Sequence, residues 1–212
     1  MEWKIKITVK GRERMINNKN RDILGYSSSC FCFDNPGPEN TQKTLEIAAK
    51  RAEELEAQNI VVASSSGKTG LMAAQHFPTK NLVIVTHSTG FLKPDYQELK
   101  PELGEKIKEA GAKILTCQHA MGGLGRAVRK KLNTYQLEEI IAYTLRIFGE
   151  GVKVAVEIAL MAADAGLIST HEPCIAVGGA SQGADTALLL KPANAQNFFD
   201  LKVMEILAKP RL

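Results

Sequence analysis

The chain has 212 residues, of which 44% are apolar and 24% charged. At roughly 100–200 residues per domain this leaves room for one ordinary domain with embellishment and excludes most multidomain enzymes. Composition is that of a globular protein, and a domain of this size hides roughly 70% of the surface its unfolded chain exposes, so no disulfide or metal is needed to hold it together. The formal net charge of +4 comes from residues 1–33, which carry seven Lys/Arg against three Asp/Glu, while the remainder holds 20 of each. A neutral body counts against nucleic-acid binding, which wants a basic face on the folded domain.

Cys30, Cys32, Cys117 and Cys174 match no zinc or thioredoxin spacing and read as structural thiols in a reducing, cytoplasmic setting. Met1–Lys10 has no uninterrupted apolar stretch and does not read as a signal peptide. The longest apolar segment, Val152–Ile168, contains Lys153, Glu157 and Asp164 and reads as a buried helix, not a membrane span.

In chain order, Trp3, Ile5, Ile7 and Val9 alternate with polar residues and predict a half-buried strand. A turn-like stretch follows around Asn17, Asn18 and Asn20, then an extended piece over Cys30–Phe33. Asp34-Asn35-Pro36-Gly37-Pro38 forbids regular structure, which divides an N-terminal extension (1–33) from an α/β domain (34–212). Apolar residues at helical spacing run from Asn40, a good N-cap, to about Gln58. Strands are expected at Ile60–Ala63, Leu82–Val85, Lys113–Cys117, Cys174–Val177 and Ala187–Leu190. Helices are expected at Leu71–His76, Glu102–Ala110, Tyr135–Phe148 and Val152–Ala165. Residues 92–100 and the glycine-rich Met121–Arg126 read as connectors, and the tail ends in a short apolar run. Strand and helix in alternation predict a mostly parallel sheet with helices on both faces, a three-layer sandwich.

In open sheets of this kind ligands bind beyond the carboxyl ends of the strands, where strand order reverses. The first exit reads Ser64-Ser65-Ser66-Gly67-Lys68-Thr69 and opens a helix, where free amides and the positive dipole end favour an anion such as phosphate. It is not a Walker A loop, because the first glycine of that motif would fall at Val62. The fourth exit, Gly178-Gly179-Ala180-Ser181-Gln182-Gly183-Ala184-Asp185-Thr186, lets backbone approach a ligand closely. The two loops face each other if the first and fourth strands are neighbours. A bulky residue at Gly67 is then expected to abolish binding with the fold intact.

His87 and His119 follow strands directly and could share the rim, whereas His76 and His171 read as surface residues. Glu157 is either partly buried and paired or points into a pocket. Gly122, Gly123, Gly125 and Arg126 form a second anion contact or a flexible connector. Spacing assigns no catalytic residue and no metal site.

IVVASSSGKTG followed by LVIVTH resembles the carboxyl-terminal domain of pyruvate kinase, as do VEIALMAADAGLI and CIAVGGASQGADTALLL. Closer still is a family of free-standing archaeal and bacterial proteins built on this domain alone. Its patterns occur here as NPGPENT, VVASSSGKT, VTHSTGF, VEIALMAADAGLI, VGGASQGADTA and NFFD, over about residues 33–212. The resemblance implies a five-stranded sheet of order 3-2-1-4-5 with the last strand antiparallel and a phosphate site between the first and fourth strands. It does not imply pyruvate kinase activity, whose chemistry belongs to a barrel domain that this chain is too short to include. Members of the free-standing family look like flavin mononucleotide (FMN) binders. That places the phosphate on Ser64, Ser65, Ser66, Gly67 and Thr69, and the flavin against Thr86, His87 and the loop bearing Gly178, Gly179, Gly183, Ala184, Asp185 and Thr186.

Two other functions are compatible with the same residues. One is a flavin-dependent oxidoreductase in which His87, His119 or Glu157 positions a substrate. The other is a sensor for a sugar phosphate or nucleotide. In each case the expected partner is a small phosphorylated ligand rather than a nucleic acid or a membrane, and the basic N-terminal strand could cover a sheet edge or mediate homo-oligomerisation.

Overall fold

The computed structural model describes residues 5–9, 12–16 and 26–211. The first two segments form an antiparallel pair, β1 (Ile5–Val9) and β2 (Arg12–Ile16), in which Ile5 faces Ile16. β1 lies within the strand expected at the N-terminus, β2 was not expected, and the turn around Asn17–Asn20 lies outside the described residues.

The main sheet has seven strands: β3 (Phe31–Phe33), β4 (Asn59–Ala63), β5 (Asn81–Thr86), β6 (Lys113–Thr116), β7 (Cys174–Gly178), β8 (Thr186–Lys191) and β9 (Lys202–Pro210). Their order across the sheet is β3-β9-β8-β7-β4-β5-β6. β4 to β7 are mutually parallel and β8 runs against β7, so these five strands reproduce the expected 3-2-1-4-5 order with its antiparallel end strand.

The expected count of five is corrected to seven. β9 pairs antiparallel with β8, and β3 pairs parallel with β9, so Cys30–Phe33 contributes the outer strand of the same sheet. β9 escapes a periodicity reading because Lys202, Glu205 and Lys209 interrupt its apolar residues, and two register shifts against β8 break its alternation. The charged Glu205 is accommodated locally: it is buried, and Arg51 donates to both of its oxygens while Tyr26 and Ser28 also donate to it.

Successive residues of a strand point to opposite faces, and here each face buries its own core. Val61, Val83, Val85, Ala176, Leu188 and Leu190 pack under α6 (Glu150–Asp164), twelve of whose fifteen residues are buried. On the other face Ile60, Val62, Ile84, Ile175, Val177 and Leu189 pack under α1 (Thr41–Glu54), α2 (Lys68–His76) and α3 (Pro101–Glu109).

Two further helices lie between β6 and α6. α5 (Leu137–Arg146) falls inside the expected 135–148 helix and starts on a capping box of Gln136 and Glu139. α4 (Leu124–Leu132) was not expected; its first residues fall in the glycine-rich passage read as a connector, and it ends on Asn133 at φ +53°. Arg129 in α4 donates to Glu139 in α5 at 2.6 Å and ties the pair together.

Candidate functional site

The register Val62↔Val177 and Ala63↔Val85 sets the exits of β7, β4 and β5 side by side at one edge. Neighbouring strands lie about 4.8 Å apart, so the loops 64–67 and 179–185 begin next to each other, with Thr86 and His87 on the other side of β4.

In the first loop the Ser64 amide donates to the Val85 carbonyl at 2.9 Å and extends the strand pairing by one residue. The buried Ser64 Oγ accepts from the Gly70 amide at 3.0 Å, so this hydroxyl already serves one of the four amides that a helix start leaves unpaired. Lys68 and Thr69, also in the first turn, have no partner within the helix. Gly67 holds φ +94° in front of them, and a Cβ there would lie 2.8 Å from Leu99 Cδ1 and 2.9 Å from Leu103 Cβ. Ser65 and Ser66 are half-buried, Lys68 is exposed and Thr69 is buried. Loop residues 64–69 include no carboxylate to repel an anion.

The second loop divides in two. Ala180, Ser181 and Gln182 form an exposed tip, with Gly179 and Gly183 half-buried beside it. Ala184, Asp185 and Thr186 are buried: the Ala184 amide donates to Thr41 Oγ1 at 3.0 Å, and Thr186 Oγ1 donates to Asp185 Oδ1 at 2.8 Å. Burial raises the Asp185 pKa above the ordinary carboxylate value, against amide hydrogen bonds from Gly37 and Ala180 that lower it. Gly183 holds φ +72° with Pro38 Cα 2.5 Å from where a Cβ would be. This half of the loop is thus anchored on the segment that opens α1.

Thr86 is buried, and its hydroxyl pairs with Thr116 Oγ1 at 2.6 Å. His87 is half-buried, with Nδ1 2.6 Å from Glu98 Oε2, and its ring stacks on Phe91 at 4.1 Å. Phe91 in turn stacks on His119 at 5.0 Å and 15°, with the Arg126 guanidinium 4.8 Å from its ring centre. The two histidines named on the rim are therefore neighbours, 5.4 Å apart between ring centres.

Behind them α6 supplies a buried ion pair. Lys153 Nζ donates to Glu157 Oε2 at 2.5 Å, and Glu157 Oε1 accepts from the Met121 amide at 2.9 Å. Glu157 is thus paired, and it also faces His119, whose Nδ1 lies 3.8 Å away. His119 Nε2 is buried with no hydrogen-bond partner among the described residues. Phe91, Glu98 and Lys153 were not singled out from sequence. The first two sit in polar loop sequence, and the only available signal was the i,i+4 spacing of Lys153 and Glu157 in an apolar helix.

Burial pushes the His119 pKa below 6.5; the Glu157 carboxylate pulls it up, and His87, Lys153 and Arg126 add to the downward push. Because folding lowers this pKa, the unfolded chain takes up the proton first as pH falls. The contribution of His119 to stability is complete above pH 6.5 and is lost as the pH drops through and below that value. The melting temperature of the parent protein should therefore fall more steeply between about pH 7.5 and 5.5 than that of His119→Gln. Parallel curves would mean that the imidazole titrates as it does in water.

With this geometry in place, a profile described as "Pyruvate kinase, alpha/beta domain" matches residues 42–190. The chain belongs to that family. Its fold is that of a ligand-binding type of domain, and the family's matched segment runs from the first turn of α1 to the end of β8. Among solved structures, a pyruvate kinase from Cryptosporidium parvum is 17% identical, with 71% of this chain and 22% of that chain covered, at a TM-score of 0.37. The C. parvum enzyme in complex with ADP gives 18% identity, the same coverage and a TM-score of 0.37. NH3-dependent NAD synthetase from Campylobacter jejuni, in complex with nitrate ion, is 14% identical, with 64% and 54% covered and a TM-score of 0.30. The chain spans 22% of the length of the first of these pyruvate kinases. Among the described residues no group of three His, Cys, Asp or Glu side chains could hold a metal, and no helix is long and apolar enough to cross a membrane.

Proposed function

We propose that this domain binds a phosphorylated small molecule, FMN foremost, at the exits of β5, β4 and β7. The observation that carries the reading is the start of α2, which opens between two neighbouring strand exits with unpaired first-turn amides and no carboxylate in the loop. The donor set fits a phosphate: the amides of Gly67 to Thr69 and the half-buried hydroxyls of Ser65 and Ser66 lie at the positive end of a helix. Ser64 acts from behind by holding the Gly70 amide. The flavin ring then meets the His87 imidazole and the exposed turn around Gly179–Gly183, whereas Thr86 and Ala184–Thr186 shape the floor from buried positions. Bound FMN would supply hydride or electron transfer; the chain's own residues bind and orient it.

A specific observation favours the oxidoreductase reading as the second choice. His119, whose pKa burial lowers, lies beside Glu157 and next to His87, which puts two imidazoles at the same rim as the anion site. The sugar-phosphate or nucleotide sensor uses the same anion site without a flavin.

The test is to denature the purified full-length protein and identify any released molecule by mass spectrometry and visible spectrum, then to titrate parent and Ser65→Asp protein with FMN and riboflavin. FMN should bind, riboflavin should bind at least tenfold more weakly, and the carboxylate at position 65 should abolish FMN binding with little change in the melting temperature of the free protein. Saturating FMN at about 100 times its Kd should stabilise the parent by about 2.7 kcal/mol. Stabilisation by a sugar bisphosphate but not by FMN would transfer the site to the sensor reading. Oxidation of a nicotinamide donor with turnover would promote the enzyme reading.

A further inference from the structure

The outer face of α5 is apolar. Leu137, Ile140, Thr144 and Ile147 recur at i, i+3, i+7 and i+10, a single stripe on the side away from the buried Ala142. Leu137 is 73% exposed, Ile140 54% and Ile147 76%, and Tyr143, Phe148 and, at the end of α4, Leu132 are each more than half exposed. At roughly 200 Å² for a fully exposed large side chain, these six apolar residues present on the order of 700 Å² of surface. That exceeds the roughly 300–600 Å² of the largest apolar patch on a typical monomer and approaches the roughly 800 Å² per partner of a stable interface.

We infer that a second copy of this chain covers this face, with α5 packed antiparallel on its own symmetry mate at the level of Ala142. A twofold interface must be complementary to itself, and this stripe is. Reversing α5 about position 142 sets Leu137 opposite Ile147 of the other copy and Ile140 opposite Thr144, so apolar groups meet at both ends and no charge enters the centre. The charged residues of α5 are turned away from the stripe: Glu138 lies against Gly125 of α4, Glu139 pairs with Arg129 and Arg146 with Glu150.

An anionic membrane surface is a poorer fit. Of the five cations on residues 124–148, Arg129 pairs with Glu139, Arg146 with Glu150, and Arg126 lies over Phe91 in the candidate site. Lys130 and Lys131 remain, fewer than the four to eight clustered cations that anionic lipids select.

Sedimentation and light scattering of the full chain should give twice the 23.1 kDa chain mass at tens of micromolar. Ile140→Glu/Ile147→Glu should give the single mass with an unchanged far-ultraviolet circular dichroism spectrum, since both positions are exposed. For register, Leu137→Cys and Ile147→Cys chains are mixed and oxidised, each carrying Cys30→Ser and Cys32→Ser. A disulfide joining the two different chains supports the antiparallel pairing. A monomer up to the solubility limit, a dimer that survives the double glutamate variant, or a monomer that floats with phosphatidylserine vesicles would each overturn it. None of these outcomes depends on whether FMN binds.

Discussion

Gly67→Val should lower the melting temperature by roughly 5–20 °C as well as abolish binding of a phosphorylated ligand, with about 2–4 °C lost per kcal/mol in a domain of this size. Two costs combine. A β-branched residue held at φ +94° sits in a left-handed region that costs of order 1–3 kcal/mol. Its Cβ would also lie 2.8 Å from Leu99 Cδ1 and 2.9 Å from Leu103 Cβ, and overpacking of this kind adds typically 1–3 kcal/mol unless the leucines give way. Leu103 is in α3 and Leu99 sits just before it, so the clash pushes α3 away from the loop. The expectation that a bulky residue here would spare the fold is therefore revised. Differential scanning fluorimetry of Gly67→Val beside Ser65→Asp separates the two effects: Gly67→Val loses stability and binding together, Ser65→Asp loses binding alone. A Gly67→Val protein that melts with the parent would show that the loop has room its geometry denies.

What was legible in the sequence was whatever short-range pattern encodes. Ile60–Ala63 and Cys174–Val177 read as buried central strands because they are apolar on both faces, and the alternating elements then require a parallel sheet. The placement of the two loops beside each other was conditional on the first and fourth strands being neighbours, an order implied by the family resemblance and seen in the pairing of β4 with β7. What stayed hidden depends on contacts between distant residues. Ala184 to Thr186 read as ligand-loop residues by composition, yet the Ala184 amide is held by Thr41, 143 positions away. His87 and His119 were expected on one rim, but Phe91, which stacks on both, and Glu98, which pairs with His87, come from a loop with no spacing that ties them to either histidine. α4 was obscured for a different reason: Gly123 and Gly125 at its start look like flexibility, whereas Gly125 lies against Gln136 and Glu138 at the start of α5.

The buried pair on α6 makes the sharpest energetic prediction. Lys153 and Glu157 are each 4% exposed, and Glu157 serves Lys153 through one oxygen and the Met121 amide through the other. Removing the charge of one partner strands the other in the core, at a cost of about 3–5 kcal/mol. Glu157→Gln keeps an acceptor for the Met121 amide, so its cost isolates the uncompensated lysine. Lys153→Met leaves a buried carboxylate whose remaining partner is an amide and the nearby His119. Each single variant should lower the melting temperature by roughly 10 °C. The double variant should recover most of that loss, because exchanging both charges for uncharged groups of similar shape is close to neutral. The interaction energy from the cycle should then reach about 5 kcal/mol, above the roughly 0.5–3 kcal/mol usual for residues in direct contact. Additive single and double variants would mean that water already reaches the pair. The same variants report on the site, because Glu157→Gln removes the carboxylate that pulls the His119 pKa up while Lys153 and Arg126 still push it down. The His119 titration should move further below 6.5 in Glu157→Gln and upward in Lys153→Met, where one of the cations opposing protonation is gone.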